Sequence, residues 1–112
     1  MEFNLAQEIA QLHDEEAWVL TGRNSKTLVK QPDFRIVLIA LQRDGHLEEH
    51  SADARISIHT LTGHVKLRLP EQTVDLPSGH LLVLDRALEH DLEALEESAI
   101  LLTISWPHAE EN

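Results

Sequence analysis

Cysteine is absent from this 112-residue chain, which removes disulfides, thiolate nucleophiles and sulfur metal ligands at once. Basic residues are scarce: 9 Lys and Arg against 20 Asp and Glu give a formal charge of −11. A field of that sign repels phosphate backbones and anionic lipid, so neither nucleic acid nor a membrane is an expected partner. No apolar stretch approaches the ~20 residues that span a bilayer. The opening "MEFNLAQE" has neither the basic segment nor the apolar run of a secretory signal. With the missing cysteines, this makes the cytoplasm the expected compartment. Glycine and proline number four each, and the isolated glycines offer no phosphate-cradling loop. The serines stand outside any nucleophile-elbow context. Aromatic side chains are only two Trp and two Phe; Trp18 and Trp106 flank the apolar segments and are expected to pack rather than to stack on a ligand.

What is present is a core for one domain, residues 1–112, since two domains of this total length would each lack a self-sufficient interior. "NLAQEIAQLH" (4–13) sets Leu5, Ile9 and Leu12 on one face of a short helix, with Asn4 as cap and Gln7 three residues on. The period then changes to two. "FRIVLIAL" (34–41), "ARISIHTL" (54–61), "HVKLRLP" (64–70), "TVDL" (73–76), "HLLVLD" (80–85), "HDLEAL" (90–95) and "AILLTISW" (99–106) read as strands separated by turns. Eight or nine short strands and a single helix predict an all-β sandwich or barrel, its core running over about 18–106. The tail 107–112 has nothing to bury and is expected to be mobile. The runs 34–41 and "LLVLD" need cover on both faces, which the barrel wall with a partner subunit would provide, as would the N-terminal helix; the expectation is a homodimer packed sheet to sheet.

Four of the eight histidines fall in "GHLEEHSADARISIHTLTGH" (45–64). His46 and His50 are four apart, about 13 Å on an extended strand, whereas two imidazoles on one ion need nitrogens within ~3–4 Å. Strand parity puts Ile56, Ile58 and Thr60 on one face, with His50 continuing that count, and Ser57, His59 and Leu61 on the other. His46, His64 and His80 lie beside turns and are expected in solvent. His90 opens "HDLEAL" on the side of Leu92 and Ala94, so it faces inward and needs a partner there. Residues 85–97 carry six carboxylates, and Glu89, Asp91 and Glu93 alternate with that inward set. They read as a solvated strand edge; a calcium loop would need a glycine that is missing.

The segment Gly45–Gly63, followed by "LPSGHLLVLDRALEH", resembles the two motifs of the cupin superfamily. The second family motif is a glycine followed eleven residues later by a histidine, as Gly79 is by His90. His50 lies thirteen residues before Gly63, at the place of the first motif's first histidine. The likeness covers about residues 34–105. It implies a jelly-roll β-barrel with a short N-terminal helix, commonly dimeric. It also implies one divalent ion (Zn, Fe, Mn or Ni) on three histidines and a glutamate in many members, often oxygenases or isomerases. In this chain only His50 and His90 match ligand positions. The second histidine position is Ala52, and the glutamate position falls at Ile56 or Arg55. A catalytic ion ordinarily has at least three protein ligands. The expectation is therefore an apolar pocket lined by Ile56, Ile58 and Thr60 and anchored by His50 and His90, binding or sensing a small molecule. Any metal on His50 and His90 would be held weakly, and catalysis by those two ligands is the alternative.

Overall fold

The computed structural model describes residues 1–49, 53–85 and 90–107. Two helices open the chain: α1 (Leu5–Asp14) and α2 (Glu16–Thr21). Asn4 caps α1 as its sequence predicts, the side chain accepting a hydrogen bond from the Gln7 backbone N–H at 3.2 Å. The second helix was not expected from the sequence. Its six residues are too few to show a periodicity, and it ends on Gly22 in the left-handed region, φ 72°.

Nine strands follow among the described residues: β1 (Arg23–Gln31), β2 (Phe34–Leu41), β3 (His46–Glu49), β4 (Arg55–Thr62), β5 (His64–Arg68), β6 (Thr73–Pro77), β7 (Leu81–Leu84), β8 (His90–Ala94) and β9 (Ser98–Ser105). They form two antiparallel sheets, β1-β2-β9-β4-β7 and β3-β8-β5-β6. The pairings are nested: β5 with β6, β4 with β7, β3 with β8, and β2 with β9. One long antiparallel hairpin folded over on itself gives this order, which is the jelly roll. β1 adds to the edge of the first sheet beside β2. Its sequence, "RNSKTLVKQ", is almost wholly polar, which is why alternation alone passes over it.

Alternation decides what fills the space between the sheets. Ile39, Leu41, Ile56, Ile58, Val65, Leu67, Leu76, Leu84, Leu92, Ala94, Ile100 and Leu102 form one buried cluster, drawn from both sheets. A second, smaller cluster lies outside the first sheet, where Leu12 and Trp18 cover Leu38 and Ala40. The helices thus bury the outer face of β2. His13 stacks on Trp18 with ring centroids 4.3 Å apart, and Asn24 of β1 donates to the Leu12 carbonyl at 3.0 Å, tying the end of α1 to the sheet.

One sequence expectation is corrected here. The acids of β8 do not lie on a solvated edge, because β8 runs between β3 and β5. Arg68 donates to Asp91 at 2.9 Å and to Glu93 at 2.6 Å. The Arg68 hydrogen bond holds the Glu93 carboxyl below the usual carboxylate range, and the two carboxylates raise the guanidinium in turn. No helix among the described residues is long and apolar enough to cross a membrane.

Candidate functional site

The nested pairing brings one set of strand ends together. The ends of β1, β3, β5, β7 and β9 meet the starts of β2, β4, β6 and β8. β3 and β7 end here, β4 begins here, and so does β8 with its first residue. That residue is His90, 5% exposed. It shares the inner face of β8 with Leu92 and Ala94, as its parity predicts.

The other residues singled out from the sequence are placed as follows. His50 and Ala52 lie outside the described residues, as do the segment 86–89 and the tail 108–112. Ile56 and Ile58 face inward on β4, 5% and 1% exposed, and belong to the main apolar cluster. Thr60 is fully buried toward the opposite end of the same strand. Its hydroxyl donates to the Leu76 carbonyl at 3.0 Å, clasping β4 to β6 across the two sheets. So Ile56 sits at the histidine end of β4, while Thr60 lies about four residues, or ~13 Å, further along. Among the turn histidines, His46 and His80 are exposed, and His64 is half-buried with Nε2 3.4 Å from Asp75. His59 is half-buried on the outer face of β4, paired with Leu81 and Leu101.

Among the described residues the donor set does not fit a resident catalytic ion. Ile56, at the position where the family resemblance expects a carboxylate, is an aliphatic side chain packed into the core. Among the described residues no three His, Cys, Asp or Glu side chains come together as a metal-holding group.

The histidine end also carries polar residues that sequence reading passed over. A concavity of about 330 Å³ is lined by Asp53, Ala54, Arg55, Asp85, Ser105, Trp106 and Pro107. Arg55 bridges the start of β4 to the residue after β7, donating to Asp85 at 3.0 Å. A second concavity, of about 620 Å³, lies on the other side of Trp106, lined by Lys30, Gln31, Pro32 and Arg35. The signal for Arg35 was in the sequence. In "FRIVLIAL" the inward positions are 35, 37, 39 and 41, and only the first is charged. Trp106 likewise continues the inward count of Ile100, Leu102 and Ile104.

No protein-family model matches this chain, and no curated protein does. Solved structures do. A conserved protein of unknown function from Streptococcus pyogenes, SPY1581, is 25% identical with a TM-score of 0.72, over 78% of this chain and 76% of that one. An RmlC-like cupin protein from Desulfovibrio desulfuricans is 18% identical with a TM-score of 0.72, over 94% of this chain and 96% of its own. The cupin domain of an XRE family transcriptional regulator from Enterobacter cloacae is 14% identical with a TM-score of 0.70, over 79% of this chain and all of that domain. At these identities the likeness carries the architecture, and on that ground the chain is a small protein of cupin fold.

Proposed function

We propose that this chain is a binding domain that takes a small molecule at the histidine end of its jelly roll, without catalysis. Ile56 carries this reading. It is a buried aliphatic residue in the wall position where a metal-dependent relative would present an acid. Ile56, Leu84, Leu92 and Leu102 face the interior from the two sheets, as does His90, and a mainly apolar lining with few polar anchors is the make-up of a small-molecule site. Sensing fits the same scheme, and the Enterobacter cloacae domain of like fold is part of a transcriptional regulator. His50 completes the proposed anchors.

The proposal includes a homodimer in the cytoplasm. Outside the first sheet, Leu81 and Val83 on β7 are 59% and 55% exposed. Register sets them beside Ser57 and His59 of β4, with Leu101 and Thr103 of β9 next in line. None of these six carries a carboxylate. A second copy can therefore approach this face with the acidic surface of a −11 chain held away from it.

Elemental analysis of protein purified without chelator tests the reading. The expected result is far less than one equivalent of divalent metal. A thermal-shift screen against small metabolites should give at least one hit whose stabilisation His90→Ala weakens. One full equivalent of metal, lost in His50→Ala, would overturn the binding reading in favour of metal chemistry.

A further inference from the structure

The β1–β2 hairpin carries an arrangement that the histidine reading does not use. Lys30 and Arg35 are direct cross-strand partners, so both side chains leave the same face of the hairpin. Like charges in that relation repel and weaken the pair. A neighbouring carboxylate would relieve the repulsion, and at three other bases the fold supplies one. Lys26 meets Glu8 at 2.7 Å, Arg55 meets Asp85 at 2.9 Å, and Arg68 meets both Asp91 and Glu93. Among the described residues Lys30 and Arg35 have no such ion pair, as Arg23, Arg43 and Lys66 have none, but only Lys30 and Arg35 stand opposite one another as cross-strand partners.

Arg35 is also poised. Its Nε is buried and meets no hydrogen-bond acceptor among the described residues. The guanidinium carbon lies 5.2 Å from the centroid of the Trp106 ring. That cation–π contact holds the group beside the ring and uses none of its N–H donors. The 620 Å³ concavity opens at this point, with Lys30, Gln31 and Arg35 as its polar lining and Pro32 and Trp106 as its apolar lining.

We infer that this cleft binds a small organic anion, its carboxylate on Arg35 and Lys30 and its apolar, planar body against Trp106 and Pro32. A guanidinium fork matches a carboxylate in two parallel hydrogen bonds, which a lysine alone cannot do. An anion between the two cations turns their mutual repulsion into attraction. The overall negative field opposes anions at a distance, but it is screened beyond roughly 8 Å at physiological salt, so the local pair decides. The inference goes beyond the binding reading above, because it makes no use of His90 and stands if His90 proves purely structural.

The test is an NMR titration of the full chain with benzoate, with neutral benzamide and inorganic phosphate as comparison probes. Benzoate is expected to shift the Arg35 Nε–H and Trp106 indole N–H signals saturably, with benzamide about tenfold weaker or more. Arg35→Gln should weaken benzoate by about tenfold, and Arg35→Lys, which keeps charge but loses the fork, by about fivefold. Lys30 is exposed, so Lys30→Gln is a variant expected to stay folded. It should weaken benzoate about threefold and leave the melting temperature in anion-free buffer unchanged or raised, since it removes a like-charge pair. Equal binding of benzamide would overturn the proposal, as would a benzoate affinity, read at the Trp106 indole N–H, that is unchanged in Lys30→Gln, Arg35→Lys and Arg35→Gln. Phosphate binding as tight as benzoate would overturn the assignment to an organic anion.

Discussion

Gly63 shows how a single position can set the end of a strand pair. It turns β4 into β5 with φ 85°, a conformation that costs an L side chain strain. A Cβ there would also run into the Ser98 hydroxyl and the Glu97 carbonyl, which crowd the turn. Ser98 is itself committed, accepting from the His64 N–H at 3.0 Å. Gly63→Ala is expected to destabilise by about 2–4 kcal/mol, combining backbone strain with displacement of packed backbone. Urea unfolding checks it, and an unchanged midpoint would refute the argument. Gly79 differs. Its φ is 87°, but no atom lies within 4 Å of a Cβ built there, so only strain would oppose a substitution. The sequence shows both as turn glycines; the crowding at Gly63 comes from a residue 35 positions away and cannot be read from the turn itself.

At the scale of elements, the helical hook is the clearest case of local pattern serving tertiary cover. The predicted face of α1 delivers Leu12, 1% exposed, onto Leu38 and Ala40 of β2. Those residues belong to an eight-residue strand, apolar but for Arg35, that faces the core with one side and the helix with the other. Leu12→Ala should cost about 3 kcal/mol, since the side chain is wholly buried and the site is walled by β-sheet that cannot collapse. Thermal denaturation followed by circular dichroism would show it, with loss of the Trp18 environment in fluorescence. Little effect would mean that the hook rests on the sheet without contributing to its stability. Strand order explains the error over β8. A period-two run with acids on alternate positions looks the same at an edge or inside a sheet. The neighbours that bind those acids, β5 through Arg68 and β3 through its pairing, are supplied by long-range register.

For the molecule as a whole, the proposed dimer has to bring two −11 chains together through a face that carries few charges. The helices cover the outer face of the first sheet chiefly at β1 and β2, with Leu61 of β4 and Leu101 of β9 at the margin of the same cluster, and leave Leu81 and Val83 exposed on the β7 side. Light scattering at micromolar concentration is expected to give twice the chain mass of 12.7 kDa. Leu81→Asp combined with Val83→Asp should return it to the monomer, because four buried carboxylates across a two-fold contact would repel. A monomeric mass for the unmodified chain would remove the homodimer from the proposal. Retention of the dimer in the double variant would move the contact to another face.

The order of residues alone determined the class of fold, the N-terminal helix with its cap, and the inward direction of His90, Ile56 and Ile58. Each follows from periodicity, which acts over a few residues and so is written locally. The tertiary structure alone decided which strands are neighbours, and with them the pairing of β8 inside its sheet and the use of Thr60 as a clasp to Leu76. It also decided that Lys30 would stand opposite Arg35 beside Trp106. These are contacts between segments distant in the chain, where the energy of a residue depends on partners that no local pattern names.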